Sequence, residues 1–169
     1  MATTSIDEAL RMAMHRRGVL AGAAGLLLAP AALLAKTEPA TPTGPVVHVW
    51  KGPSCGCCKD WIQHLEANGF RTQVQDSGNT DARLRLGVNV RYGSCHTALV
   101  GGYAIEGHVP AREIRRLLKE RPTAVGLAVP AMPVGSPGMD GPDYGGHKDP
   151  YDVLLLAKDG SSRVFQTYR

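Results

Sequence analysis

The sequence predicts an α/β domain, and three observations carry that prediction. Short β-branched runs alternate with segments of helical spacing, beginning with Val46-Val47-His48-Val49-Trp50. Glycine and proline punctuate the joins between them. All 4 cysteines fall into two short segments, Cys55 to Cys58 and Cys95, each beside a predicted strand.

Residues 46–50 read as the first strand, closed by Gly52-Pro53. From Ser54 the period changes, with Trp61, Ile62, Leu65 and Phe70 recurring at helical spacing. Ser54 is the expected N-cap and Gly69 stands at the C-cap, so Cys55, Cys57 and Cys58 fall in the first turn. Residues 71–75 alternate as a second strand, and residues 80–86 read as a short helix ending at Gly87. Residues 97–100 and 103–105 form a predicted hairpin around Gly101-Gly102. Pro110 opens a helix with Ile114, Leu117 and Leu118 on one face, and Pro122 marks its end. Residues 125–150 read as a long loop rich in Gly and Pro. Residues 153–157 and 163–167 flank Lys158-Asp159-Gly160 as a closing β-hairpin. The order β-α-β-α-β-β-α, with reactive cysteines opening the first helix, is that of a thioredoxin-like fold, here with a C-terminal loop and β-hairpin.

Residues 1–35 read as a signal peptide. Arg16-Arg17 precedes an apolar run that ends in small residues. That run is dominated by Ala and Gly and broken by Pro30, whereas a spanning helix needs ~20 strongly apolar residues. The paired arginines also suggest the twin-arginine export route, with Val19 where Phe is usual and Leu20 in place. Ala29-Pro30-Ala31 and Leu33-Leu34-Ala35 are alternative cleavage points, and no cysteine before Cys55 offers a lipoprotein anchor. The expected location is the periplasm, with no stable membrane insertion after signal removal. Cleavage after Ala35 leaves 134 of the 169 residues: a flexible Pro- and Thr-rich lead-in over residues 36–45, then one domain over 46–169. The net charge of +4 falls to about +3 in that mature chain and is spread along it. With little aromatic content and no basic cluster, nucleic acid is not an expected partner.

The cysteines carry the chemistry. A disulfide scaffold would scatter them through loops, and a domain of this size needs no staples. Backbone N–H groups at a helix start favour thiolate, which is both a disulfide-exchange nucleophile and a metal ligand. Cys55 and Cys58 have the Cys-x-x-Cys spacing of a dithiol, so position alone does not choose between the two chemistries. Three details tilt the choice to a metal. Cys57 adds a third sulfur that a simple dithiol does not need. Cys95-His96 occupies the loop before the third strand, where a thioredoxin fold usually carries a cis-proline. Soft sulfur ligands favour Cu(I) and Zn(II) over hard cations. The candidate ligands are Cys55, Cys57, Cys58, Cys95 and His96. His108, Met132, Met139 and His147 are weaker candidates, and His15, His48 and His64 read as structural or incidental.

At these residues the chain resembles the domain-of-unknown-function family that includes the copper-resistance protein CopG. The matching stretches are Gly52-Pro53-Ser54-Cys55-Gly56-Cys57-Cys58, Ser94-Cys95-His96-Thr97, Glu106-Gly107-His108-Val109-Pro110 and the Met132 to Met139 loop. The resemblance spans nearly the whole mature chain. It implies a periplasmic thioredoxin-fold protein of copper resistance with a multinuclear, cysteine-bridged copper site and Cu(I)/Cu(II) interconversion. By that resemblance Cys55, Cys57, Cys58 and Cys95 bridge copper ions and His96 adds a nitrogen. Expected partners are metal ions and periplasmic copper-handling proteins.

Two other functions compete. A thiol–disulfide oxidoreductase would use Cys55 and Cys58 on protein substrates, and the extra thiol and missing proline weigh against it. A structural zinc module would use Cys₃His or Cys₄ ligation, which a chain with this much predicted core does not need in order to fold.

Overall fold

The computed structural model describes residues 43–169, which form a mixed α/β structure around one seven-stranded sheet. The expected signal peptide, and the lead-in up to residue 42, lie outside the described residues. Among the described residues no helix is long and apolar enough to cross a membrane.

Strand β1 (Val46–Lys51) leads into helix α1 (Gly56–Ala67), then β2 (Arg71–Gln75) and α2 (Thr80–Arg85). After a 3-10 turn (Val90–Tyr92) come β3 (His96–Val100), β4 (Tyr103–Glu106) and α3 (Ala111–Glu120). Strand β5 (Gly126–Ala128), a second 3-10 turn (Pro142–Tyr144), β6 (Tyr151–Leu156) and β7 (Ser162–Tyr168) complete the chain. The predicted β-α-β-α-β-β-α order is therefore present. The sheet order is β2-β1-β3-β4-β5-β6-β7. Pairings β1–β2 and β4–β5 are parallel, and the others are antiparallel.

The segment expected to be a continuous loop holds β5, which corrects that reading, while the expected C-terminal hairpin is present as β6 and β7. Strand β5 pairs with β4 on one side and β6 on the other, so β6 and β7 extend the main sheet. Three residues led by glycine show no periodicity of their own; they become a strand because two neighbouring strands satisfy their backbone groups.

Helix α1 buries Cys58, Trp61, Ile62 and Leu65. Its N-cap is Cys55 and not Ser54, and no side chain caps it. Cys57 and Cys58 thus occupy the second and third helical positions. The C-cap is Asn68; the N–H of Gly69 donates to the Glu66 carbonyl (2.9 Å) and that of Phe70 to the Leu65 carbonyl (3.1 Å). That pair of bonds is a Schellman ending, with the expected glycine one place beyond the cap.

Helices α1 and α3 cover one face of the sheet. Trp61, Leu65, Ile114 and Leu117 pack there on Val47, Val49, Ala98, Ile105 and Leu127. The opposite face carries a smaller cluster of Val88, Tyr92, Ala104, Ala128 and Leu156. Alternation along β4 and β5 sends neighbouring side chains to the two faces, so both strands are buried from both sides.

Candidate metal centre

The site forms where α1 begins beside the start of β3. Antiparallel pairing of β1 with β3 sets Lys51 opposite His96. Cys95, one residue earlier, then reaches the loop that leads from β1 into α1. The Sγ atoms of Cys55, Cys57, Cys58 and Cys95 all lie within 4.8 Å of one another. Cys57 Sγ is 3.6 Å from Cys55 Sγ and 4.0 Å from Cys95 Sγ. Two thiolate–metal bonds of about 2.3 Å meeting at a tetrahedral angle separate their sulfurs by about 3.8 Å. The spacing therefore fits a soft ion shared between these sulfurs.

In this structure Cys55 and Cys58 are joined by a disulfide, while Cys57 and Cys95 are free. The same sulfurs are thus placed for either of the two chemistries that the Cys-x-x-Cys spacing left open. Cys95 lies off the helix start, in the loop before β3. Burial, helped by the neighbouring Cys57 sulfur, pushes its thiol up to about 12. At neutral pH a metal ion must displace that proton to bind there.

Two buried histidines adjoin Cys95. His108 Nδ1 lies 2.8 Å from the Pro137 carbonyl oxygen, to which it donates. Its other nitrogen, Nε2, is then left with a free lone pair 3.1 Å from Cys95 Sγ. Donation from the outer ring nitrogen to a carbonyl is the support that metal-binding histidines usually have. His96 Nδ1 is 3.4 Å from Cys95 Sγ, and its Nε2 is buried with no hydrogen-bond partner. It is Nδ1, and not the unpartnered Nε2, that His96 offers toward Cys95. Burial holds both imidazoles below the ordinary histidine range, that of His96 well below, so both stay neutral and able to ligate. The Trp61 ring lies 4.2 Å from the His96 ring and shields it, with Trp61 Nε1 donating to the Val109 carbonyl (2.9 Å).

A buried clamp sets the Cys95 loop. Glu106 Oε1 accepts from the Ser94 N–H (2.7 Å) and from Arg83 Nε (2.9 Å) and its terminal nitrogen (2.8 Å). Its Oε2 accepts from the Thr97 hydroxyl (2.6 Å). Arg83 also donates to the Ser94 carbonyl (2.6 Å), as does Asn79 (3.2 Å). Burial pushes the Glu106 carboxyl up, against the downward pull of these donors. A clamp of this kind fixes the backbone that aims Cys95.

The Pro-Gly loop closes over the other side. Gly138 has φ +85°, and a Cβ there would come within 2.6 Å of the Cys57 carbonyl oxygen and 2.7 Å of the Trp61 nitrogen. Only glycine allows the loop to lie this close on α1. A Cβ on Gly107, at φ +70°, would likewise come within 2.5 Å of the Ser94 hydroxyl oxygen.

The five candidate ligands named from sequence, joined by His108, fall into two overlapping groups: the four cysteines, and Cys95 with His96 and His108. His108 belongs with the stronger candidates. Met139 is buried, with its sulfur accepting from the Tyr144 hydroxyl (3.3 Å). Met132 is exposed, and His147 is exposed and paired with Asp149 (2.9 Å). His64 has a structural task, its Nε2 accepting from the Ala111 N–H (3.1 Å) at the start of α3. Glu106, Arg83 and the Pro137 carbonyl were not anticipated, because their roles depend on contacts between distant segments.

Residues 92–139 match a family described as protein of unknown function, DUF411. No curated protein matches the chain. Two solved structures are similar to it. Copper resistance protein copG, form 2, is 45% identical over 74% of this chain and 98% of that one, with a TM-score of 0.67. Form 1 is 46% identical over the same shares, also at 0.67. On these matches the chain belongs to the DUF411 family and is a homologue of copper resistance protein copG.

Proposed function

We propose that this chain is a periplasmic copper-binding protein of copper resistance, holding Cu(I) at Cys55, Cys57, Cys58 and Cys95 on a thioredoxin-like frame. The observation that carries this reading is the convergence of four sulfurs from two segments nearly 40 positions apart. Their softness favours Cu(I) over hard cations, and a bridging thiolate shares its charge between two ions. Several Cu(I) ions per chain follow, with His96 and His108 supplying nitrogen ligands beside Cys95. The similarity to copG supports copper over zinc. The thioredoxin-like assignment draws support from the β-α-β-α-β-β-α order and from cysteines that open the first helix.

Copper is the cargo here, and the protein's own groups do the rest. The α1 N-terminus presents Cys57 and Cys58, and the Glu106–Arg83 clamp aims Cys95. Trp61 and the 132–139 loop cover the site. Export by the sequence at residues 1–35 would deliver the chain to periplasmic copper-handling partners and is checked by N-terminal sequencing of the periplasmic protein. An intact Met1 on cytoplasmic protein would contradict it.

The Cys55–Cys58 disulfide favours a second reading, a thiol–disulfide oxidoreductase. Anaerobic loading of the reduced chain separates the two, with Cu(I) and Zn(II) in competition and metal counted beside free thiols. The copper reading expects more than one Cu(I) per chain and Cu(I) in preference to Zn(II). A chain that takes up zinc preferentially, or no metal while reducing a disulfide substrate, supports the alternatives.

A further inference from the structure

The Cys55–Cys58 disulfide takes two sulfurs out of the four-cysteine group but leaves a second donor set intact. Cys95, His96 and His108 offer one sulfur and two ring nitrogens, all within 4.8 Å of one another, and none of them takes part in the disulfide. We infer that these three residues form a separate single-ion site, suited to a borderline divalent ion such as Zn(II), that stays available while the disulfide is closed. The inference rests on the copper reading above, because it makes Cys95 the ligand common to a reduced multi-copper cluster and an oxidised one-ion site.

Geometry supports the smaller site. Metal–sulfur bonds of about 2.3 Å and metal–nitrogen bonds of about 2.0 Å at a tetrahedral angle place sulfur and nitrogen about 3.5 Å apart. The observed separations from Cys95 Sγ are 3.1 Å to His108 and 3.4 Å to His96, so an ion needs only a small outward shift of the rings. The Pro137 carbonyl keeps the His108 proton on the far nitrogen. His96 presents its Nδ1 toward Cys95. The free Cys57 thiol, 4.0 Å from Cys95 Sγ, is near enough to supply a fourth ligand. One sulfur with two imidazoles is a borderline donor set, whereas four thiolates are soft, so the two states of the chain differ in which ion they prefer. Oxidation would then change the number and kind of bound ions without emptying the protein.

The test uses the chain with Cys55–Cys58 closed by oxidised glutathione, verified by mass and by the two remaining free thiols. Co(II) is the probe, because its visible bands report tetrahedral sulfur–nitrogen ligation, and Zn(II) displaces it. The expected result is one Co(II) per oxidised chain, with affinity reduced at least about tenfold in Cys95→Ser and in His108→Ala. The Cys55→Ser/Cys58→Ser double variant repeats the test without a disulfide and should also hold one ion. No one-ion complex in either preparation, or binding that survives Cys95→Ser, overturns the inference. Cu(I) uptake by the reduced parent is measured separately: if it fails while the oxidised chain binds Co(II), the copper reading falls and the small site stands.

Discussion

Cys95 Sγ and His108 Nε2 lie 3.1 Å apart, although one precedes β3 and the other follows β4. The β3–β4 hairpin makes this contact. Its turn sets Val100 opposite Tyr103 and Thr97 opposite Glu106. The same count continued down the strands brings Cys95 opposite His108. A thiol and a neutral imidazole thus meet beside the other three sulfurs, and the hairpin register is what positions them in the candidate site.

Replacing His108 tests that contact. His108→Ala removes the nitrogen and leaves the Pro137 carbonyl without its donor, while the four sulfurs stay. Metal affinity should fall about 10–100-fold. Competition titration with a chromogenic chelator measures the change, and unaltered affinity would place His108 outside the ligand set.

The clamp on Cys95 gives a prediction about stability. Glu106→Ala leaves the largely buried Arg83 guanidinium without its carboxylate and the Ser94 N–H without an acceptor. The expected loss is about 3–5 kcal/mol in chemical denaturation, because one charge of a buried pair is left uncompensated. Glu106→Gln keeps an acceptor oxygen and should lose less. Equal losses for the two variants would show that the charge is not what holds the loop.

Gly138 is a packing test close to the cysteines. Gly138→Ala combines a left-handed backbone with a methyl group driven against the Cys57 carbonyl. About 1–3 kcal/mol should be lost, and the loop should lift from α1. Thermal unfolding and faster alkylation of Cys57 would report both effects; unchanged values in both would contradict the close approach.

Acid should destabilise the metal-free chain. His96 and His108 have pKa values lowered by burial, so the unfolded state binds protons that the folded state refuses. Their contribution is fully present above the unfolded value of about 6.5 and is lost as pH falls from there toward the lowered folded values. Each adds a slope of up to about 1.4 kcal/mol per pH unit in that window. Denaturation midpoints measured between pH 7.5 and 5 should fall, and His108→Gln should flatten the slope. A midpoint independent of pH would contradict the buried neutral rings.

Much of the fold was legible in the chain because its signals are local. A β-branched run marked β1, alternation marked β2, helical spacing marked α1 and α3, and Gly101-Gly102 marked the hairpin turn. Strand β5 was not legible, since residues 126–128 become a strand only through partners on both sides. The four sulfurs were legible from cysteine clustering and element order. His108 could have been promoted with them by extending the hairpin register five residues beyond its turn. Glu106 and Arg83 could not, because a buried carboxylate and its guanidinium 23 positions away leave no periodic trace. The raised Cys95 thiol was hidden for the same reason: burial is a property of the assembled loops.

The most direct test of the copper centre is the copper stoichiometry of Cys57→Ser. Cys57 lies between Cys55 (3.6 Å) and Cys95 (4.0 Å) and takes no part in the disulfide. Its removal should break the bridge between the two segments yet leave Cys55 and Cys58 able to pair. The purified parent and variant are reduced, loaded with Cu(I) without oxygen, and assayed for copper per chain beside disulfide formation. The account predicts that the variant loses most of its copper while Cys55–Cys58 still oxidises. A variant that keeps the parent's full copper complement would contradict it.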